Sequence, residues 1–114
     1  MQVLSQCDVI LCLYEPISKN NIFASPSKIL DAMCVGRRVI INQEAKVSKW
    51  IKENDMGYLM PYYNSDQLVE IFDHLRGDRK TIVSFEKRVK TLYKEKYSWE
   101  IMKIRMLNMY KSFE

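Results

Sequence analysis

The fold class is decided by the stretch Cys7-Asp8-Val9-Ile10-Leu11-Cys12-Leu13, a nearly continuous apolar run with β-branched members. Such a run predicts a strand that is covered on both faces, as in a parallel sheet. The longest apolar part, residues 9–14, is far too short to span a membrane. The sequence therefore predicts a strand over residues 7–13 that is covered on both faces in an α/β protein.

A long loop and a well-marked helix follow this strand. Residues 14–24 contain Pro and Asn and read as a loop, which is long for a strand-to-helix connection. Ser25 then has the character of an N-cap, and Pro26 suits the first helical position because its missing N–H costs nothing there. Gly36 is placed to end the helix, so we predict a helix over residues 26–35.

The rest of the chain alternates short apolar runs with helical patterns. We predict strands at residues 38–41 and 57–60, and helices at 45–54, 65–77 (capped by Ser65 and Asp66), 79–94 and from Ser98 to the end. Strands separated by helices imply right-handed crossovers and a parallel sheet. The predicted fold is a partial Rossmann-like α/β sheet of about three strands. Residues 1–114 form one unit, which we expect to be part of a larger domain because three strands are few.

Composition excludes several function classes. The 114 residues carry a net charge of +4, concentrated between Arg76 and Lys111. No basic stripe interleaved with aromatic residues appears, so nucleic acid is not an expected partner. Three interpretations of the basic region stay open: a solvated helix surface, contact with an anionic membrane face and attraction of a phosphorylated ligand. The three cysteines show no CxxC spacing, so we predict reduced thiols, no metal site and no cofactor. We expect a cytoplasmic protein, with contact at the inner membrane face left open.

The residues alone point to an anion site at the start of helix 26–35. Ligands of open α/β sheets bind beyond the carboxyl ends of the strands, and a helix start offers free N–H groups and a positive dipole end. Ser27 and Lys28 lie in this first turn, and Asp31 follows one turn later. Two plainer interpretations stay open: Lys28 extends into water, and Asp31 pairs with Lys28 instead of holding a sugar hydroxyl.

Three segments in order resemble a known family. They are Cys-Asp-Val-Ile-Leu-Cys-Leu at 7–13, Ser-Pro-Ser-Lys-Ile-Leu-Asp-Ala-Met-Cys-Val-Gly at 25–36, and Met-Gly-Tyr-Leu-Met-Pro-Tyr at 56–62. Together they resemble the C-terminal, nucleotide-sugar-binding domain of GT-B retaining glycosyltransferases, the large group 1, whose usual pattern reads "aDv…P.Kl.EamaaG.PVI…G.lv". The ending Tyr97-Ser98-Trp99 followed by a helix is similar to the family's "ysw" ending.

The resemblance implies a donor site for a UDP-, GDP- or similar sugar. It implies that Ser25, Ser27 and Lys28 contact the diphosphate, and that Asp31, where the family has Glu, holds the ribose. The family's sugar-contacting Glu, eight residues earlier, is replaced by Phe23. The candidate donor-loop residues are Glu15, Asn20, Asn21 and Phe23.

The resemblance covers only the second half of that domain. It therefore implies that the earlier half and an N-terminal acceptor domain are missing partners, that no catalytic residue lies in this chain, and that the chain alone is inactive. The alternative is a non-catalytic α/β binding or partner subunit derived from such an enzyme. The strand 7–13 is also expected to be an exposed edge through which the chain self-associates.

Overall fold

A computed structural model describes residues 2–24 and 27–114 of the chain. The protein is an α/β unit in which three parallel strands are flanked by helices. The strands are β1 (Val9–Cys12), β2 (Arg38–Asn42) and β3 (Gly57–Met60). The helices are α1 (Lys19–Phe23), α2 (Ser27–Val35), α3 (Ser48–Glu53), α4 (Ser65–Gly77), α5 (Ile82–Leu92) and α6 (Trp99–Lys111), with a 3-10 turn at Leu4–Gln6 and a π-helical turn at Tyr93–Tyr97.

The sheet has the order β1-β2-β3, so β2 is the central strand. Val9 pairs with Arg38 and Cys12 with Ile41, while Val39 pairs with Gly57 across the next ladder. Among the described residues β1 pairs with β2 alone, and its other side is a free edge. The predicted strand over residues 7–13 is thus confirmed at its centre and placed at the edge of this sheet.

Two apolar layers cover the faces of the sheet. On one face Ile10, Cys12 and Ile41 are buried together with Ile29 and Met33 of α2. A smaller cluster lies on the other face and joins Ile40, Met60 and Ile71, the last from α4. Each face of β2 is therefore buried, which explains why its burial begins at Val39 and continues through Asn42.

Gly36 ends α2 in the left-handed region at φ 70°, as its position in the sequence predicts. The next residue, Arg37, donates from Nη1 to Oε2 of Glu86 at 3.1 Å, and Lys90 Nζ donates to Oε1 of the same carboxylate at 2.5 Å. Glu86 therefore ties the turn before β2 to α5. The pKa of Glu86 is lowered, first by the bond from Lys90 and then by Arg37, while burial acts in the opposite direction.

The lowered pKa of Glu86 predicts that the protein loses stability in acid. A lowered folded-state pKa means that its contribution is present above the ordinary value of 4.5 and disappears as the pH falls through the folded value. We expect the free energy of unfolding, measured by urea denaturation, to decrease below about pH 4.5, and Glu86→Gln to flatten that decrease. Glu53→Gln, which removes an exposed ion pair with Lys49, should leave the profile unchanged; an equal flattening in both variants would contradict the assignment.

Several predicted boundaries were wrong. The helix predicted at 45–54 begins only at Ser48, because Ala45 and Ser48 first close two tight turns through their N–H groups. The cap of α4 is Asn64, whose side chain accepts from the Gln67 N–H at 3.1 Å, rather than Ser65 or Asp66. The helix predicted at 79–94 is α5, shorter at both ends, followed by the π-helical turn. α1 lies inside the segment predicted to be a loop.

The last helix carries an apolar stripe at helical spacing, which predicts that it packs on the core, and this expectation is wrong; the stripe is Trp99, Met102, Met106, Met109 and Phe113. Ser98 caps α6 as predicted, accepting from the Ile101 N–H at 3.4 Å. However, no residue of α6 is buried, and Trp99 is 63% exposed. Tyr97 instead turns inward, where its ring meets Trp50 edge-on at 5.5 Å. The extended backbone at Ser98 (ψ 158°) redirects the chain, and the main contacts of α6 are with the preceding π-helical turn.

Candidate functional site

The predicted anion site lies at the carboxyl edge, which we define as the edge of the sheet formed by the carboxyl ends of β1, β2 and β3. The chain leaves β1 there, passes through α1 and enters α2 at Ser27. Ser27 and Lys28 are both exposed in the first turn of α2. The predicted cap Ser25 and its neighbour Pro26 lie outside the described residues.

Electrostatics places the Lys28 charge near the end of β1. Burial raises the pKa of the Cys12 thiol, and the positive charge of Lys28 opposes that rise. Cys12 is the last residue of β1, and Lys28 lies in the first turn of α2, the helix that packs against this strand. An anion at this position would interact with both the ammonium group and the positive end of the α2 dipole.

Asp31 lies one turn further along α2 than Ser27 and Lys28. It is half-buried, and its charge helps to raise the pKa of Tyr93, a rise caused mainly by burial of that phenol. Tyr93 belongs to the π-helical turn that packs against α2. Within the described residues Asp31 and Lys28 form no ion pair with each other. The plainer interpretation, an Asp31–Lys28 pair, is therefore not what the structure contains.

The segment 14–24 is held by local and long-range hydrogen bonds. Glu15 uses its backbone carbonyl to accept from Asn21 Nδ2 at 2.9 Å, and its carboxylate accepts from the Tyr63 hydroxyl at 3.1 Å. Asn20 donates its N–H to the Ser18 hydroxyl, which caps α1. The segment thus has defined hydrogen bonds at the carboxyl edge, and one of them joins it to Tyr63, three residues after β3.

Phe23 ends α1 with an exposed ring. It is 65% exposed, and the Lys46 ammonium lies 5.9 Å from its ring centroid. The Lys46 N–H also donates to the Ile22 carbonyl at 2.8 Å, which docks α1 onto the turn before α3. The Phe23 ring and the Lys46 ammonium therefore lie together at the end of α1, shortly before the chain enters α2.

Sequence reasoning missed the polar network at the end of β2. Asn42 is 1% exposed, and its Oδ1 accepts from the Tyr14 N–H at 2.8 Å. Its Nδ2 donates to Oε2 of Glu44 at 3.1 Å, and Oε1 of Glu44 accepts from the Tyr62 N–H at 3.2 Å. The network joins the loops after all three strands. Its signal in the sequence is the polar run of residues 42–44 directly after an apolar strand.

The same network keeps Glu44 charged. Burial alone would raise the pKa of Glu44, but bonds from its own N–H, the Asn42 amide and the Tyr62 N–H together lower it. Glu15 and Glu44 therefore place two carboxylates on the β3 side of the carboxyl edge, while Lys28 and Lys46 place ammonium groups on the α2 and α3 sides. A phosphate is attracted to the α2 side and repelled from the β3 side.

A separate cleft lies at the opposite edge of the sheet, where β2 and β3 begin. Its volume is about 470 Å³, and Arg38, Tyr58, His74, Phe85 and Arg88 are among its lining residues. The Arg38 and Arg88 guanidinium carbons lie 4.6 and 5.3 Å from the Phe85 ring centroid. Arg38 is engaged by the Thr81 hydroxyl at 2.9 Å, and Arg88 Nη1 by the Asn54 carbonyl at 2.9 Å. These contacts fasten α5 to the sheet.

Residues 2–24 and 27–114 contain neither a candidate metal centre nor a candidate membrane span. No three His, Cys, Asp or Glu side chains gather there in a way that could hold a metal ion. None of the helices is both long and apolar enough to cross a bilayer. Comparison of the chain with family models, with characterised proteins and with solved structures finds no match.

Proposed function

We propose that this chain is the donor-binding portion of a GT-B retaining glycosyltransferase, holding the diphosphate and ribose of a nucleotide-activated sugar. The observation that carries the proposal is the arrangement at the carboxyl edge. The chain leaves β1, passes through α1 and enters α2, whose first turn carries the exposed side chains of Ser27 and Lys28, and α2 packs against β1. This geometry suits the anionic part of a nucleotide sugar.

The order of the motifs supports the same proposal. The three quoted segments contain β1, α2 and β3 in chain order, and this strand, helix and strand order supports the resemblance. Transfer to an acceptor needs a second domain that faces the carboxyl edge, because catalysis depends on holding donor and acceptor together. The proposed partners are therefore a nucleotide-sugar donor and an acceptor-binding domain, with the chain alone inactive.

Titration with a nucleoside diphosphate tests this proposal. We expect the amide chemical shifts of residues 25–28 and 14–24 to move first, with a Kd on the order of 1 mM, since one wall of the site provides few contacts. The matching nucleoside without phosphates should cause no such shifts, because it lacks the charge that α2 attracts. If the first amides to move lie in the basic helices between residues 79 and 111, the donor site is misplaced.

A second candidate is a non-catalytic binding or partner subunit derived from such an enzyme. The observation that favours it is Phe23, an exposed aromatic ring at the place of the sugar-contacting Glu, with Lys46 beside it. An aromatic face cannot accept hydrogen bonds from sugar hydroxyls as a carboxylate does. Under this candidate the nucleoside diphosphate still binds, whereas the attached sugar adds nothing to the affinity.

A further inference from the structure

The free edge of β1 has the properties of a strand edge that pairs with another strand. Its backbone groups on that side have no strand partner among the described residues. Residues 9–13 contain neither a charge nor a proline, the usual devices that protect an edge from association. Leu11 lies on the face of the sheet that α4 covers, where Ile40 and Met60 are buried. Leu11 itself is 44% exposed, so β1 is incompletely covered on this face.

We propose that a second copy of this chain covers the edge, with the two β1 strands antiparallel about a two-fold axis at Leu11. In this register Leu11 faces its own copy, Val9 faces Leu13, and Ile10 faces Cys12. Every pair is apolar. A two-fold contact must be self-complementary, and this strand meets the condition.

The flanking charges select this register over its neighbours. Centring the pair at Leu11 places Asp8 opposite Tyr14, outside the apolar set. Centring it at Ile10 would set Asp8 against Cys12, and centring it at Cys12 would set Val9 against Glu15. The resulting sheet has six strands in the order β3-β2-β1-β1-β2-β3, and the exposed Leu11 side chains become cross-strand neighbours. The contact leaves the carboxyl edge open. It uses the edge that the earlier half of the domain would cover under the proposed function, so it is proposed for the chain without that half.

The mass of the chain in solution tests the proposal. We expect light scattering to show a mass that doubles as the concentration rises from about 10 µM to about 1 mM, the range suited to a short edge contact. Leu11→Lys sets two ammonium groups opposite each other at the axis and should weaken the dimer at least about tenfold. Val69→Lys is the matched control, since Val69 of α4 is 58% exposed and α4 contacts β3, on the other side of the sheet from the β1 edge.

Two results would overturn the proposal. One is a wild-type chain that stays monomeric at the highest concentration. The other is a dimer that survives Leu11→Lys but is lost in Met106→Lys, which would place the contact on α6, where Met106 is 40% exposed. Leu11 and Met106 are exposed, so we expect both lysine variants to fold. Circular dichroism of each variant checks that a loss of dimer is not caused by unfolding.

Discussion

Gly57→Ala is expected to destabilise the protein by about 3 kcal/mol or more, the largest effect of any change considered. A Cβ built on Gly57 would lie 1.9 Å from the Val39 carbonyl oxygen, and 2.8 Å from both the carbon and the nitrogen of Val39. Val39 is fully buried in β2 and paired with Gly57, so the backbone cannot yield without opening the β2–β3 ladder. For a domain of this size the melting temperature should fall by more than about 10 °C.

Gly77→Ala is the matched control for this prediction. Gly77 ends α4, and a Cβ there would meet nothing within 4 Å. Alanine favours helix over glycine by roughly 0.5–1 kcal/mol, so this variant should melt at or slightly above the wild-type temperature. A Gly57→Ala protein that melts within about 2 °C of the wild type would contradict the close approach of β2 and β3.

The strand and helix pattern could be predicted because local composition determines it. The apolar run around Ile10, the turn at Gly36 and the cap at Ser98 each depend on residues adjacent in sequence. Three parallel strands with intervening helices followed from these signals. α1 could not be predicted in the same way, because its five residues depend on a distant bond from the Lys46 N–H.

The exposure of α6 could not be predicted from the helical periodicity of its apolar residues. Trp99, Met106 and Met109 recur at helical spacing, which predicted a buried stripe, yet all three are exposed. Spacing identifies residues that share a face of a helix, but it does not say whether another surface lies within reach of that face. Ile104 and Leu107 are exposed as well, so apolar residues extend around α6 rather than along one side.

The sequence could predict the helix of the candidate site but not the polar network beside it. The first turn of α2 follows from the Ser-Pro signal and from the general rule that ligands bind at the carboxyl edge. The hydrogen bonds from the Tyr14 N–H to Asn42 and from the Tyr62 N–H to Glu44 join residues 28 and 18 positions apart. Which strand ends adjoin is a property of the sheet order, so these partners could not be read from local sequence.

Lys28→Glu is the second large expected effect. The proposed diphosphate gains from the Lys28 ammonium and from the N-terminal end of α2, and the substitution replaces attraction by repulsion at the same place. Glu15 and Glu44 already lie elsewhere along the carboxyl edge, so a third carboxylate leaves little positive potential there. We expect the affinity for a nucleoside diphosphate to fall at least about tenfold, roughly 1.4 kcal/mol. Lys28 is exposed, so the fold should persist.

The most direct test of the central claim compares this variant with Lys87→Glu by amide chemical-shift titration. Lys87 is an exposed lysine of α5, the helix fastened near the opposite edge of the sheet, and its reversal changes the net charge equally. If α2 holds the diphosphate, Lys28→Glu abolishes the shifts of residues 14–28 and Lys87→Glu leaves them intact. Equal weakening by both substitutions would mean that the ligand responds to net charge alone, and the site at the start of α2 would be rejected.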